Sequence, residues 1–508
     1  MAFLVEQNIK GTIYVYRTEG YWDKDKKQCR HKRVFIGKKD PKTGEVVPSR
    51  SQLHPRSCLD FGNYYLLNFI AQRSGLLSTL EDVFPDFWQE IITCAFYELS
   101  ERKPLYLCEA WCESTYTINN VSLYSQRISD LLKALGKADT ERMTFFQRWG
   151  QVRSEQEYLA FDITSISSYS KLIETLEYGY NRDGEELPQI NIGMLFGQTS
   201  LLPVFYTVYP GSIRDMRTLE NMITYAQNLN SDKVRFVMDK GFYSESNLRD
   251  MLKNKVKFVM AVPFTTGLAK SLADEVRESI VAATKSFVIS NDVVCAESKK
   301  ISKYGKNLRA FIYYNERQVL DAKESILKRI ARLEKLLEDK KKLPSSIKDT
   351  ALKFLKIRNS KNGLIIRRDE VKIKEALKYK GFNIIISNHF RDRQEVLHLY
   401  RSKDSIEKVF DNMKNEIDMK RLRVHSDEAM TGRTFLGFIS LIMYAWLDKK
   451  MKEQGLYKSY SQAEVMCEMK KLKMVELSSE KRILTEITKK QKMLLRAFEI
   501  PEPSKTLL

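Results

Sequence analysis

YLAFDITS at residues 158–165 and VRFVMDKGF at residues 234–242 decide how the chain is read. Each holds a short apolar run that ends on an acid, Asp162 in the first and Asp239 in the second. Runs of this length between polar and glycine residues predict strands rather than helices. Ile190–Phe196 and Leu202–Val208 carry the same signature, and helical spacing over Thr218–Leu229 precedes the Val234–Met238 strand. Strands interleaved with a helix predict an α/β core. An acid at the carboxyl end of such a strand occupies the usual ligand position of this class. Either acid alone is more often a loop cap.

Composition adds a constraint on partners. The 508 residues hold 85 Lys+Arg against 65 Asp+Glu, a formal net charge of +20. An excess of this size self-repels and suits a polyanionic partner, although a merely soluble basic protein has the same arithmetic. With 43% hydrophobic residues and only 12 Pro and 21 Gly, neither wholesale disorder nor a collagen-like chain fits. The seven cysteines include no CxxC and no Cys-His cluster, so buried thiols are expected, not a disulfide framework or structural zinc. The N-terminus turns polar within a few residues, unlike a signal peptide. The longest apolar run, Phe435 to Leu447, is shorter than the roughly 20 residues a membrane span needs. It predicts a buried helix in a soluble, cytoplasmic protein with no membrane partner.

Outward from the acids the chain changes character several times. Residues 1–60 alternate around Thr12–Tyr16 and Arg33–Ile36, with turn chemistry at Asp40–Gly44, predicting a β-rich basic element with a linker KDKKQCRHKR at 24–33. Residues 61–150 are helical. There Ile128, Leu131, Leu132 and Leu135 form one stripe and Ser125 is a plausible N-cap. Such a region suits either a DNA-reading module or an ordinary helical subdomain. Core residues 151–264 are followed by an insertion, 265–382, with strand-like runs at Ser286–Ile289 and Ala310–Tyr314. Its charged helix has an apolar seam of Val319, Ile326, Ile330, Leu333 and Leu337, which Lys323 interrupts, so a short helical hairpin is expected. A strand at Asn383–Ser387 opens the second core part, 383–450, and a basic helical region, 451–508, ends the chain.

A third acid, Glu407, falls in a predicted helix over Tyr400–Lys414, whose spacing sets Glu407, Phe410 and Lys414 on one face. Three converging carboxylates suit Mg²⁺, which takes carboxylate, water and phosphate oxygens. Two such ions support in-line displacement at phosphorus.

Together these blocks resemble the DDE transposases of bacterial insertion sequences, in the group marked by a YREK signature. Its spacing is kept by Tyr400, Lys403, Glu407 and Lys414, with DITS at 162–165 and DKGFYS at 239–244 matching the two aspartate blocks. The resemblance implies an RNase H-like core with a mixed sheet and flanking helices, interrupted by an α+β insertion and preceded by β-rich and helical domains. Residues 61–150 would bind DNA ends. It implies Asp162, Asp239 and Glu407 as the catalytic, metal-binding triad for two Mg²⁺ ions, with Mn²⁺ as the alternative. Tyr400, Lys403 and Lys414 would contact phosphates at the cut end. Nicking at the element ends would precede attack of the freed 3′-hydroxyl on target DNA, by a homodimer bound to double-stranded DNA at the nucleoid. The signature's arginine is Lys403 here, which keeps the charge and loses the bidentate fork; Arg401 is a nearby substitute.

The five histidines lack ligand spacing, and Ser165, Ser167 and Ser168 lack a nucleophile elbow. Gln189 is expected at a strand edge without chemistry. The basic stretches Lys24–Lys39 and 480–492 are candidates for phosphate contacts. Two other readings remain at this stage: an RNase H-fold nuclease that cuts without joining, and a transposase-derived DNA-binding protein with a dead site.

Overall fold

The computed structural model describes residues 2–23, 28–48, 55–118, 121–154, 157–213, 215–228, 235–289, 291–338, 345–360, 363–478, 481–504 and 506–507. Lys24–Lys27 of the expected basic linker, His54, Leu229, Val234 and Glu480 lie outside the described residues. The chain forms two units, one of Met1–Lys137, Glu416–Asp418 and Thr431–Leu508, the other of Ala138–Asn415 and Met419–Met430.

The second unit is built on a ten-stranded mixed sheet. Its strands are β1 (Tyr158–Ser168), β2 (Gln189–Gly197), β3 (Pro203–Pro210), β4 (Arg235–Met238), β5 (Lys257–Val262), β6 (Ser286–Ile289), β7 (Asp292–Lys303), β8 (Lys306–Tyr314), β9 (Phe382–Ser387) and β10 (Arg421–Leu422). The order across the sheet is β6-β7-β8-β9-β5-β4-β1-β2-β3, with β10 paired to β1. The pairs β5/β4, β4/β1 and β1/β10 are parallel, and the other pairs among the described residues are antiparallel. The continuous apolar runs of β2 and β5 follow from this position, since both of their faces are covered.

One boundary differs from the sequence reading. The first strand does not end at Asp162 but continues through ITSISS to Ser168, because Ile163–Ser167 pair with β2. Asp162 is therefore a mid-strand acid, half-buried where the rest of β1 is buried.

Residues 265–382 do not all stand apart from this sheet, since β6, β7 and β8 extend it. The chain leaves at Tyr314 and returns at Phe382, which pair directly across β8 and β9. Between them, helices Glu316–Glu338, Ser345–Leu352 and Glu370–Leu377 and the hairpin Leu355–Ser360/Gly363–Arg368 form a subdomain with its own core. Of the expected seam, Ile330, Leu333 and Leu337 are buried there and Ile326 packs against them.

The first unit opens with an antiparallel four-stranded sheet, Ala2–Ile9, Thr12–Asp23, Gln28–Lys39 and Val46–Pro48. Residues 28–33, read as linker, are thus strand; their polar run has no alternation because both faces are exposed. Helices follow, and in Ser125–Lys137 the stripe Ile128, Leu131, Leu132 and Leu135 is buried. That helix is capped by the Tyr124 carbonyl, which accepts from Ile128 N, so Ser125 is its first residue. The apolar run lies in helix Asp427–Glu453, which is long and apolar enough to cross a membrane by length and composition, but 89% of that window is buried. Within it Arg433 pairs with buried Glu98 at 2.7 Å, and Ser440 donates to the same carboxylate at 2.6 Å. In the basic C-terminal region, helices Gln462–Lys470 and Lys489–Ala497 are separated by strands Lys473–Leu477 and Arg482–Leu484.

Candidate active site

Strands β1 and β4 are parallel, with Phe161 opposite Met238. One step further along each chain, Asp162 and Asp239 come side by side. Asp239 follows the last residue of β4 in an extended conformation and opens a short turn over Lys240–Phe242, as its place before Lys-Gly predicts. The asymmetry matters. Asp162 is held in a regular strand, whereas Asp239 sits where the backbone has left the sheet.

The Tyr400–Lys414 segment is two helices, not one. The first, α1, spans Arg393–Ser402, Lys403 is its C-cap, and α2 begins at Asp404 and runs to Asn415. Ser402, Asp404 and Ser405 supply the hydrogen-bonding side chains that compete with a continuous helix, and Ser405 Oγ donates to the Ser402 carbonyl at 2.7 Å. The break puts the signature on two elements. From α1, the Tyr400 hydroxyl donates to Asp239 Oδ1 at 2.6 Å. At the cap, Lys403 Nζ lies 3.2 Å from Glu407 Oε1 and 3.6 Å from Asp404 Oδ1. On α2, Phe410 and Lys414 are buried while Glu407, in the first turn, keeps 60% of its side chain exposed.

Lys414 is tied to Asp183, 2.8 Å from Oδ2. Arg401 turns the other way, to the Ile289 carbonyl at 3.2 Å and Asp292 at 3.3 Å, and is not brought to the aspartates. So the structure brings Asp162, Asp239, Tyr400 and Lys403 together and sets Glu407 one lysine away. Among the described residues no group of three His, Cys, Asp or Glu side chains is close enough to hold a metal ion. The expected convergence of three carboxylates is therefore a pair plus a third acid linked through Lys403.

Burial pushes the Asp162 carboxyl up to about 6, and the neighbouring Asp239 adds to the rise; Arg182, the Ile163 N–H and Lys403 act against it. Burial also disfavours charge on Lys403, but Asp239 and Glu407 outweigh it and hold the ammonium above its ordinary range. Burial, then the adjacent Asp239, raises the Tyr400 hydroxyl, so it stays a proton donor to that acid. Two neighbouring carboxylates, one of them raised by burial, offer the oxygen donors that a hard divalent cation takes. Asp162 and Asp239 are the residues that could hold one, and Glu407 faces Lys403 instead of joining them.

Sequence reasoning missed the residues that hold this arrangement. Arg182 lies 3.3 Å from Asp162 Oδ1, and both Arg182 and Asp183 come from the turn Asn181-Arg-Asp-Gly184. Asn181 Oδ1 accepts from the Asp183 N–H, and Gly184 takes φ +72°, a conformation that favours glycine. Gln189 fixes the turn from below. It is fully buried, accepts from Asn181 Nδ2 at 2.6 Å and donates to the Tyr180 carbonyl at 3.0 Å. Its role is to position the turn, not a passive strand edge. The Asn-x-Asp-Gly turn signal was present, but nothing local says that it faces Asp162.

A family model described as a transposase DDE domain matches residues 153–443, which contain every residue of this site. Among solved structures, the chain resembles a piggyBac transposase in a synaptic complex with hairpin DNA, determined by cryo-EM. The identity is 11%, the TM-score 0.37, and the match covers 80% of this chain and 70% of that one. No curated protein matches the chain.

Proposed function

The chain belongs to the transposase DDE domain family, and on that premise we propose that it is the transposase of a bacterial insertion sequence of the YREK group. It binds the ends of the element, cuts them by metal-dependent phosphodiester hydrolysis and joins the 3′-hydroxyl ends to target DNA. The ten-stranded sheet, with its parallel centre and acids on neighbouring parallel strands, supports an RNase H-like core. The observation that carries the reading is the β1/β4 register, which places Asp162 beside Asp239 with Tyr400 and Lys403 of the signature against them.

Asp162, Asp239 and Glu407 would hold Mg²⁺ or Mn²⁺. When bound, the metal supplies an activated nucleophile and a stabilised leaving oxygen for in-line displacement. The chain's own groups do the remainder. Tyr400 fixes the rotamer of Asp239 by donating to Oδ1, and leaves the other oxygen for a ligand. Arg182 pairs with Asp162 Oδ1 at 3.3 Å. Lys403 stands where a phosphate of the cut strand would meet a point charge. Lys414, paired with Asp183, is a brace for the Arg182 turn first and a phosphate contact only if that pair opens. We place the reaction on nucleoid DNA in the cytoplasm, with a homodimer bringing two ends together.

The test is incubation of the purified protein with Mg²⁺ and labelled DNA carrying the ends that flank its gene, wild type against Glu407→Gln. Cleavage at the element boundary by wild type alone supports the assignment of Glu407, and joined products separate a transposase from a nuclease that only cuts. Specific binding without cleavage by either protein would make it a DNA-binding protein with a dead site.

A further inference from the structure

We propose that Lys403 is the built-in counter-cation of the carboxylate site, displaced when a divalent ion enters and thereby released to a DNA phosphate. This rests on the metal-dependent reading above and adds a competition between two cations for the same acids.

Lys403 is 8% exposed. A lysine is rarely buried unless its charge is matched, and here the match is unusual. Its ammonium pairs with Glu407 at 3.2 Å and with Asp404 at 3.6 Å. It lies 5.6 Å from the centre of the Tyr400 ring, whose hydroxyl is bonded to Asp239. It also acts electrostatically on Asp239 and on Asp162. One ammonium thus serves all three acids of the proposed triad. It also accounts for the position of Glu407, which faces the lysine instead of closing on the aspartates.

A dication placed between Asp162 and Asp239 would meet this charge at close range, so metal and lysine exclude each other. The exchange needs only a side-chain movement, because Lys403 caps α1 at the break before α2 and carries its charge on a flexible four-carbon stem. A compact ammonium also substitutes for a hard cation better than a planar guanidinium does. Once displaced, the ammonium keeps its proton and needs a new anion, and the phosphate of a bound DNA end is the one the reaction provides. Metal loading and end contact are then coupled through one side chain.

The experiment is calorimetric titration of Mn²⁺ into the full chain without DNA, comparing wild type, Lys403→Met and Lys403→Arg. Lys403→Met, which keeps the stem and removes the charge, is expected to bind Mn²⁺ about tenfold tighter or more. Lys403→Arg should show no such gain. Equal or weaker binding by folded Lys403→Met overturns the exchange and leaves the transposase reading standing. No Mn²⁺ binding by wild type or Lys403→Met overturns both. A second measurement needs no variant: acylation of wild-type lysines by an amine-reactive ester, mapped by mass spectrometry. Lys403 should be slow to react in EDTA and several-fold faster with saturating Mn²⁺, and unchanged reactivity in a protein shown to bind Mn²⁺ overturns the proposal.

Discussion

In the ten-stranded sheet β1, β2 and β5 are buried almost throughout, whereas in the four-stranded Ala2–Pro48 sheet Leu4, Trp22 and Val34 stay 64%, 62% and 48% exposed. The contrast separates two reasons for a polar residue to be in a strand. In the four-stranded sheet, charged and apolar side chains are exposed side by side over Gln28–Val34. In the inner sheet Asp162 is a carboxyl among apolar neighbours, costly to keep there and raised to about 6 by burial. Such a residue is a candidate for chemistry, because its burial costs stability.

The largest expected effect tests that distinction directly. Asp162→Ala or Asp239→Ala should reduce Mg²⁺-dependent cleavage of end DNA by more than about a thousandfold, with specific binding preserved in a mobility-shift assay. Full activity in either variant removes that residue from the site. Next comes packing. Phe236 of β4 is fully buried, so Phe236→Ala should cost about 3–5 kcal/mol, read as a fall in the denaturant midpoint.

A subtler effect has the opposite sign. Between about pH 4 and about 6 the folded protein holds a proton on Asp162 that the unfolded chain has lost. Stability in EDTA therefore falls as pH rises through that window. Asp162→Asn needs no proton, so in EDTA at neutral pH it should melt a few degrees above wild type, the two curves meeting below the window. A lower melting temperature for the variant would mean that Asp162 is held by its partners and not strained by burial. The smallest effect is expected in the outer sheet, where Leu4→Ala should change stability by no more than about 0.5 kcal/mol. A larger loss would show that this sheet is covered in solution.

The same contrast explains what could be read from the sequence. The inner strands announced themselves because burial on both faces leaves an apolar run, and Asp162 and Asp239 were visible as interruptions of it. Gln28–Arg33 was read as linker because a strand segment exposed on both faces needs no alternation. The helix break at Lys403 was hidden for another reason. Neither Gly nor Pro marks it, and only the clustered cap-formers Ser402, Asp404 and Ser405 hint at it. Pairs such as Lys414 with Asp183 are 231 residues apart, and no local pattern encodes them.

The entry and exit of the inserted subdomain have an engineering consequence. Tyr314 and Phe382 face each other across β8 and β9, and the Asn315 N–H donates to the Gly381 carbonyl at 2.9 Å. The two ends of the excursion are thus already a closed hairpin, and the sheet does not depend on the length of what lies between them. Replacement of 316–377 by a tight turn, or by another small domain with adjacent termini, is therefore expected to keep the register that aligns Asp162 and Asp239, provided that Lys378 and Tyr379 keep their bonds to Asp274.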